Sequence, residues 1–294
     1  MRRAQSLSWL RLLSLAGVLL LAKLATAAPL ELHDDSGRTL RLKQPAQRIV
    51  SLLPSLTEAV GALGATDRLV GVDRYSNWPA AVTRLPQLGG LDDVQIETLV
   101  ALKPDVVLAS VAARSLDRLE ALGIPVLRLR SESHADVRRS LGLVAQLVGQ
   151  PEGAERLWAR VQQQVAAARA RVPAHLRGQS VYFEIGGGPY AAGASSFIGE
   201  TLAQLGLPNA VPTHLGPFPK LNPEFIVQAR PALILGTAKE QAALKKRPGW
   251  AAIPAVKNGR LCGFESVPYE ILVRPSPRLG DAAGLLADCL AKLP

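Results

Sequence analysis

Residues 96–110, IETLVALKPDVVLAS, and residues 223–237, PEFIVQARPALILGT, carry the same parts in the same order. Each has a glutamate, a short apolar helical turn, a basic residue, a proline and then an aliphatic run. Glu97 and Glu224 are 127 positions apart, and so are Pro104 and Pro231. Proline ends a helix and restricts the residue before it, so a helix–proline–strand corner suits any α/β chain. Two such corners alone mean little. The matched glutamate points further, to two copies of one α/β unit.

The intervening sequence fits that division. Residues 30–47 alternate loosely around the turn Asp35-Ser36-Gly37 and predict an entry hairpin. RIVSLLP, LVGVD, DVVLAS and PVLRL read as strands. Helices are predicted from Ser55 to about Gly64, at 99–102 and over 115–122. Ser55-Leu56-Thr57-Glu58 fits a capping box at the start of the first helix. From Pro151 the pattern changes. PEGAERLWARVQQQVAAARARV has no internal proline, and apolar positions 154, 157, 158, 161, 165 and 168 form one stripe. Pro151 suits a first helical turn, and Pro173 marks the end. A helix of this length spans roughly 33 Å, the width of a small domain. Alternation resumes with SVYFEIG, a helix near 197–205, ALILGT, RLCGF and a last helix near 279–292.

The expected fold class is therefore α/β: two lobes, each with a central parallel sheet flanked by helices, joined by one long α-helix. The expected boundaries are 1–27 for a signal peptide, 28–148 for the N-terminal lobe, 149–174 for the linking helix and 175–294 for the C-terminal lobe. A hydrophobic content of 48% over 294 residues is enough for two cores.

The signal peptide is read from Arg2, Arg3 and Arg11 together with LLSLAGVLLLAKLATAA, which ends in the small-x-small pattern Ala25-Thr26-Ala27. Lys23 interrupts the run, and its clean apolar part falls short of the roughly 20 residues a span needs. Cleavage near Ala27 is thus preferred to a membrane anchor, with the mature chain starting near Ala28 in the periplasm. No cysteine stands directly after that cleavage point, so a lipid anchor is not expected. Removing the signal leaves 30 basic and 24 acidic residues, a net charge of +6. The basic residues are scattered. Their longest cluster, Lys245-Lys246-Arg247, has no interleaved aromatics and reads as a solvated helix end, not a nucleic-acid site. Cys262 and Cys289 would meet an oxidising compartment; one disulfide or two buried thiols both fit.

Enzyme signatures are missing. His33, His134, His175 and His214 are scattered, with no HExxH, and there is no GxSxG. GGGPY at 186–190 lacks the spacing of a dinucleotide loop, so Gly186, Gly187 and Gly188 predict a tight loop or close backbone approach to a ligand. A binding protein is expected. The alternative, an exported enzyme, would rest on Glu270 or His214.

RIVSLLPSLTEAVGALGATDRLVGVDRYSNWP, IETLVALKPDVVLAS and RPSPR at 274–278 resemble the periplasmic substrate-binding proteins of ABC importers for cobalamin, haem and iron-siderophores. The likeness is nearest to the vitamin B12-binding branch and covers about residues 46–292. It implies two lobes on one rigid helix, a ligand cleft between them, and small lobe adjustments instead of wide closure. The implied partners are an ABC permease dimer and its ATPase subunits, since this chain has no Walker motif. The implied state is a monomer with no resident cofactor. Its transported ligand is cobalamin, with haem or a ferric siderophore as alternatives.

In the family one exposed glutamate per lobe docks on the permease, and these positions match Glu97 and Glu224. Each also has a simpler role, as a carboxylate at a helix start worth about 0.3–1 kcal/mol. The matched ligand-binding positions are Ser55, Tyr75, Leu91, Tyr190, Phe218, Glu270 and Arg274. B12-binding relatives often carry tryptophan where this chain has Leu91 and Phe218. Tyr75 and Phe218 also fit core packing, as do Trp78 and Trp158. His214 is a candidate axial ligand for haem iron or an ordinary surface residue.

Overall fold

The computed structural model describes residues 29–113 and 116–294. The expected signal peptide and its cleavage point near Ala27 lie outside the described residues, as does the first residue of the helix expected over 115–122. Among the described residues, no helix is long and apolar enough to cross a membrane.

The chain enters through an antiparallel hairpin of β1 (Leu30–His33) and β2 (Thr39–Leu42). One carboxylate oxygen of Asp34 holds its turn by accepting from Ser36 and Arg38. The first lobe is built on β3 (Ile49–Ser51), β4 (Leu69–Val72), β5 (Val106–Ser110) and β6 (Val126–Leu129). These strands are parallel, in the order β4-β3-β5-β6. Ile49, Val50, Val106, Val107 and Leu108 are fully buried, as continuous aliphatic runs should be in a sheet covered on both faces. The covering helices are α1 (Pro54–Ala62), α2 (Ile96–Ala101), α3 (Asp117–Ala121) and α4 (His134–Leu147).

Helix α5 (Pro151–Arg171) then leads to the second lobe. Its buried positions Ala154, Val161, Val165 and Ala168 are members of the stripe read in the sequence. The second sheet contains β7 (Val181–Ile185), β8 (Tyr190–Ala191), β9 (Leu233–Thr237) and β10 (Leu261–Phe264). Its helices are α6 (Phe197–Gln204), α7 (Pro223–Ala229), α8 (Ala238–Ala243), α9 (Pro254–Lys257), α10 (Ser266–Leu272) and α11 (Leu279–Leu290). Helix α5 packs against α4 of the first lobe and α11 of the second.

The two sheets share one plan. The second runs β8-β7-β9-β10, matching β4-β3-β5-β6 strand for strand, except that β8 is antiparallel to its neighbour. Within this plan α2 and β5 begin at residues 96 and 106, and α7 and β9 begin at 223 and 233. The sequence repeat is thus a structural repeat. Its corner depends on more than the proline. Lys103 and Arg230 are the two non-glycine residues with positive φ among those described, at 48° and 47°. A left-handed residue after the helix turns the chain into the strand and lets its N–H return to a helical carbonyl, Val100 O or Ile226 O.

Two local expectations need correction. The Ser55–Glu58 capping box does not form: α1 starts at Pro54, with Leu53 as an N-cap that makes no side-chain bond. Thr57 instead bonds Ser51 and Ser76, and Glu58 is claimed by the other lobe. A true capping box, Ser133 with Asp136, opens α4. The sequence reading passed over this 14-residue helix. Its core face, Val137, Leu141, Val144 and Ala145, follows the i, i+4, i+7, i+8 spacing of an amphipathic helix, and Ser133 three residues before Asp136 was the signal that could have found its start.

Cys262 on β10 and Cys289 on α11 are bonded, at a sequence separation of 27. Closing a loop of that size should stabilise the fold by roughly 3 kcal/mol, through the lost entropy of the unfolded chain. Reduction should lower the urea midpoint accordingly. An unchanged midpoint would show that packing alone holds α11 to the sheet.

Candidate ligand cleft between the lobes

In parallel α/β sheets, ligand sites form beyond the carboxyl ends of the strands. Both lobes turn those ends toward one cavity of about 700 Å³. Leu53, Pro54 and Ser55 follow β3, Ser110 ends β5, and Ser131 follows β6. From the second lobe come Ile185 and Gly186 at the end of β7, Tyr190 of β8, Phe197 and Ile198 of α6, and Phe218. Val273, Arg274 and Pro275 complete the lining. Phe197 and Phe218 lie with ring centroids 5.8 Å apart, forming an aromatic wall. Ser55 lines this apolar space, and its buried hydroxyl has no hydrogen-bond partner in the protein.

Two polar clusters join the lobes beside the cavity. In the first, Glu58 of α1 is 1% exposed and is held by residues more than 200 positions later. Arg274 Nη1 donates to its Oε1 at 2.9 Å, Ser276 Oγ donates to its Oε2 at 2.6 Å, and Arg278 lies 3.6 Å away. Arg274 also donates to Asn77 Oδ1 at 2.7 Å, Tyr75 O at 3.0 Å and Glu270 Oε2 at 2.8 Å. The RPSPR motif is therefore largely occupied with holding the first lobe.

The second cluster centres on His134, at the start of α4. Its Nε2 lies 2.8 Å from Thr201 Oγ1 and 3.1 Å from Phe197 O, both on α6. Its ring meets Trp158 of α5 edge-on at 5.9 Å. Burial pushes the His134 pKa below its usual value of 6.5, against the opposing pull of the Glu200 charge. The folded state thus keeps the ring neutral, while the unfolded chain protonates it near pH 6.5. The associated stability is complete above pH 6.5 and declines as pH falls through the lowered folded value. Urea midpoints measured from pH 7.5 down to pH 5 should fall across this window, and His134→Gln should flatten the slope. An equal slope in both proteins would remove His134 as its source.

Of the residues singled out in the sequence, Ser55, Tyr190, Phe218 and Arg274 line the cavity. Tyr75, Leu91 and Glu270 do not. Tyr75 is 61% exposed and lies over Gly90, next to the exposed Leu91. Glu270 accepts from Arg274 and Asn77 in the lobe junction. His214 is exposed, outside the lining. Trp78 packs beneath the Arg278 guanidinium, 5.1 Å from its centroid. Lys245 and Lys246 are exposed as expected, but Arg247 is drawn inward to pair with Glu184 and Glu240, which corrects the reading of that cluster as fully solvated.

Glu97 and Glu224 are both exposed, each the second residue of its helix. Each helix runs back across its sheet before the next parallel strand begins, so its first turn lies at the carboxyl edge, the edge that forms the cleft. Sequence reasoning missed Glu58 and Ser276, whose meaning depends on a distant partner. It also missed Ile185, Phe197, Ile198 and Val273, which look like core residues in the sequence.

A sequence model described as periplasmic binding protein matches residues 49–267. The chain belongs to the periplasmic binding protein family. YvrC of Bacillus subtilis, described as an uncharacterized ABC transporter substrate-binding lipoprotein, is 30% identical over 89% of this chain and 85% of its own. A vitamin B12-binding protein of Yersinia pestis is 27% identical over 85% of this chain and 89% of its own. Among solved structures, the periplasmic haem-binding protein RhuT of Roseiflexus shares 29% identity, with a TM-score of 0.70 over 84% of this chain and 98% of its own. This binding protein is the substrate-binding component of an ABC importer, acting with permease and ATPase components, and is not an enzyme.

Proposed function

We propose that the protein is exported to the periplasm, with its signal peptide cleaved near Ala27, and acts there as a monomer. It captures a tetrapyrrole macrocycle between its lobes, and cobalamin is the first candidate. The observation that carries this reading is the broad apolar cleft walled by Phe197, Phe218 and Tyr190. A flat, partly apolar ligand suits such a wall. The B12-binding relative supports cobalamin in particular. In this reading Tyr75, whose carbonyl accepts from Arg274, and Leu91, both exposed on the first lobe, meet the part of a ligand too large for the cavity alone. In this reading Glu97 and Glu224 dock the two lobes on the permease.

One observation favours haem as a second reading. The Tyr190 phenol opens onto the cleft, and a phenolate can serve as an axial ligand to haem iron. Titrating the mature protein with cyanocobalamin and with hemin, followed by calorimetry and absorbance, tests both. Cobalamin binding that weakens by roughly 1–3 kcal/mol in Phe218→Ala supports the first. Tight hemin binding with no cobalamin signal, lost in Tyr190→Phe, replaces cobalamin with haem. Binding of neither would remove the tetrapyrrole assignment.

A further inference from the structure

Glu132 lines the inter-lobe cavity at the turn between β6 and α4. Its backbone is held on both sides. The N–H donates to Asp136 Oδ2 at 3.0 Å, and the carbonyl accepts from Phe197 N–H at 2.7 Å. Residue 132 is thereby fixed beside a member of the aromatic wall. Its side chain is not tied in the same way. Glu132 is exposed, and no hydrogen bond or ion pair engages its carboxylate among the described residues. Nor is that carboxylate needed to start α4, where Ser133 and Asp136 already close the capping box.

Arg274 is the other charged side chain among the described lining residues, and it is committed elsewhere. Nη1 donates to Glu58 and Asn77, and Nη2 donates to the Tyr75 carbonyl and Glu270, so all four terminal N–H groups have acceptors. Two carboxylates, Glu58 and Glu270, balance this one guanidinium. Cargo entering the cavity therefore meets an unpaired anion and a neutralised cation.

A like charge beside an apolar space is repelled more strongly than in water, because little solvent screens the pair. An amide N–H or a cationic group instead donates to the same oxygens. We propose that Glu132 is a specificity-determining residue of the cleft. It favours a macrocycle whose rim carries amides or other uncharged or cationic donors, and it rejects by repulsion one whose rim carries carboxylates. This rests on the reading of the cargo as a tetrapyrrole. The chain as a whole is basic and would on its own attract a polyanionic cargo, so the preference has to come from a group in the cleft.

Matched cargoes test this. Dissociation constants are measured for two pairs, dicyanocobinamide against dicyanocobyrinic acid and hemin dimethyl ester against hemin. In each pair the ring is kept and rim amides or esters become carboxylates. For whichever ring binds, the wild type should prefer the uncharged rim by at least about tenfold, and Glu132→Gln should cut that preference at least about fivefold. Glutamine keeps the length and the backbone bonds of residue 132 and removes the charge. A ratio between two cargoes does not move with a general loss of folded protein. Equal or tighter binding of the carboxylate form by the wild type, or a preference unchanged in Glu132→Gln, overturns the role of Glu132 and leaves the tetrapyrrole reading standing. Binding of none of the four by the wild type overturns the tetrapyrrole reading and this inference with it.

Discussion

Replacing Arg274 with alanine should lower the unfolding free energy by about 3 kcal/mol, the lower part of the range for breaking one side of a buried ion pair. The cost comes from what is left behind. Glu58 is 1% exposed, and without Arg274 its carboxylate keeps only Ser276 and the more distant Arg278. Asn77 and the Tyr75 carbonyl lose a donor in the same step. Equilibrium urea unfolding at pH 7 measures the loss. Glu58→Met combined with Arg274→Met should recover most of it, because neither charge then remains desolvated alone. A loss below about 1 kcal/mol would mean that Arg274 is a ligand contact and not the lobe clamp.

On the docking proposal, reversing both helix-start charges, Glu97→Lys and Glu224→Lys, should abolish permease-dependent uptake while leaving cargo affinity within about threefold. Both side chains are exposed and outside the cargo cavity, so the fold and the cleft should tolerate the change. A like charge placed opposite a basic partner costs several kcal/mol at an interface, and two such changes remove both anchor points. Transport into proteoliposomes containing the permease and ATPase, with cargo affinity measured separately, tells the effects apart. Collapse of cargo affinity instead would place these residues in the cleft.

Much of the architecture was legible because it is local. Strand runs such as DVVLAS and ALILGT are short and β-branched, and the proline-free stretch from 151 has an unbroken stripe. The repeat showed where the two lobes correspond, although nothing in the sequence announced that Lys103 and Arg230 would adopt left-handed backbone. Helix α4 was legible too, in the spacing of Val137, Leu141, Val144 and Ala145 and in the capping pair Ser133 and Asp136, and the reading overlooked it. The cleft was only half legible. Ser55, Tyr190, Phe218 and Arg274 line it, but Phe197 and Ile198 are as apolar and buried as any core residue, and only the tertiary fold distinguishes them. The pairing of Glu58 with Arg274 spans two lobes, and local sequence carries no mark of it.

The turn Gly186–Gly187–Gly188 is a partition one backbone thick between the inter-lobe cleft and a cavity of about 610 Å³ lined by Glu184, Glu240 and Arg247. All three glycines have positive φ, and a Cβ on Gly187 or Gly188 would come within 2.8 Å of Glu240 Oε1 or Glu184 Oε1. No layer of side chains therefore insulates one chamber from the other at this point. Bulk added to this divider would be felt on both of its faces at once, by the lining of the cleft and by the carboxylates behind it.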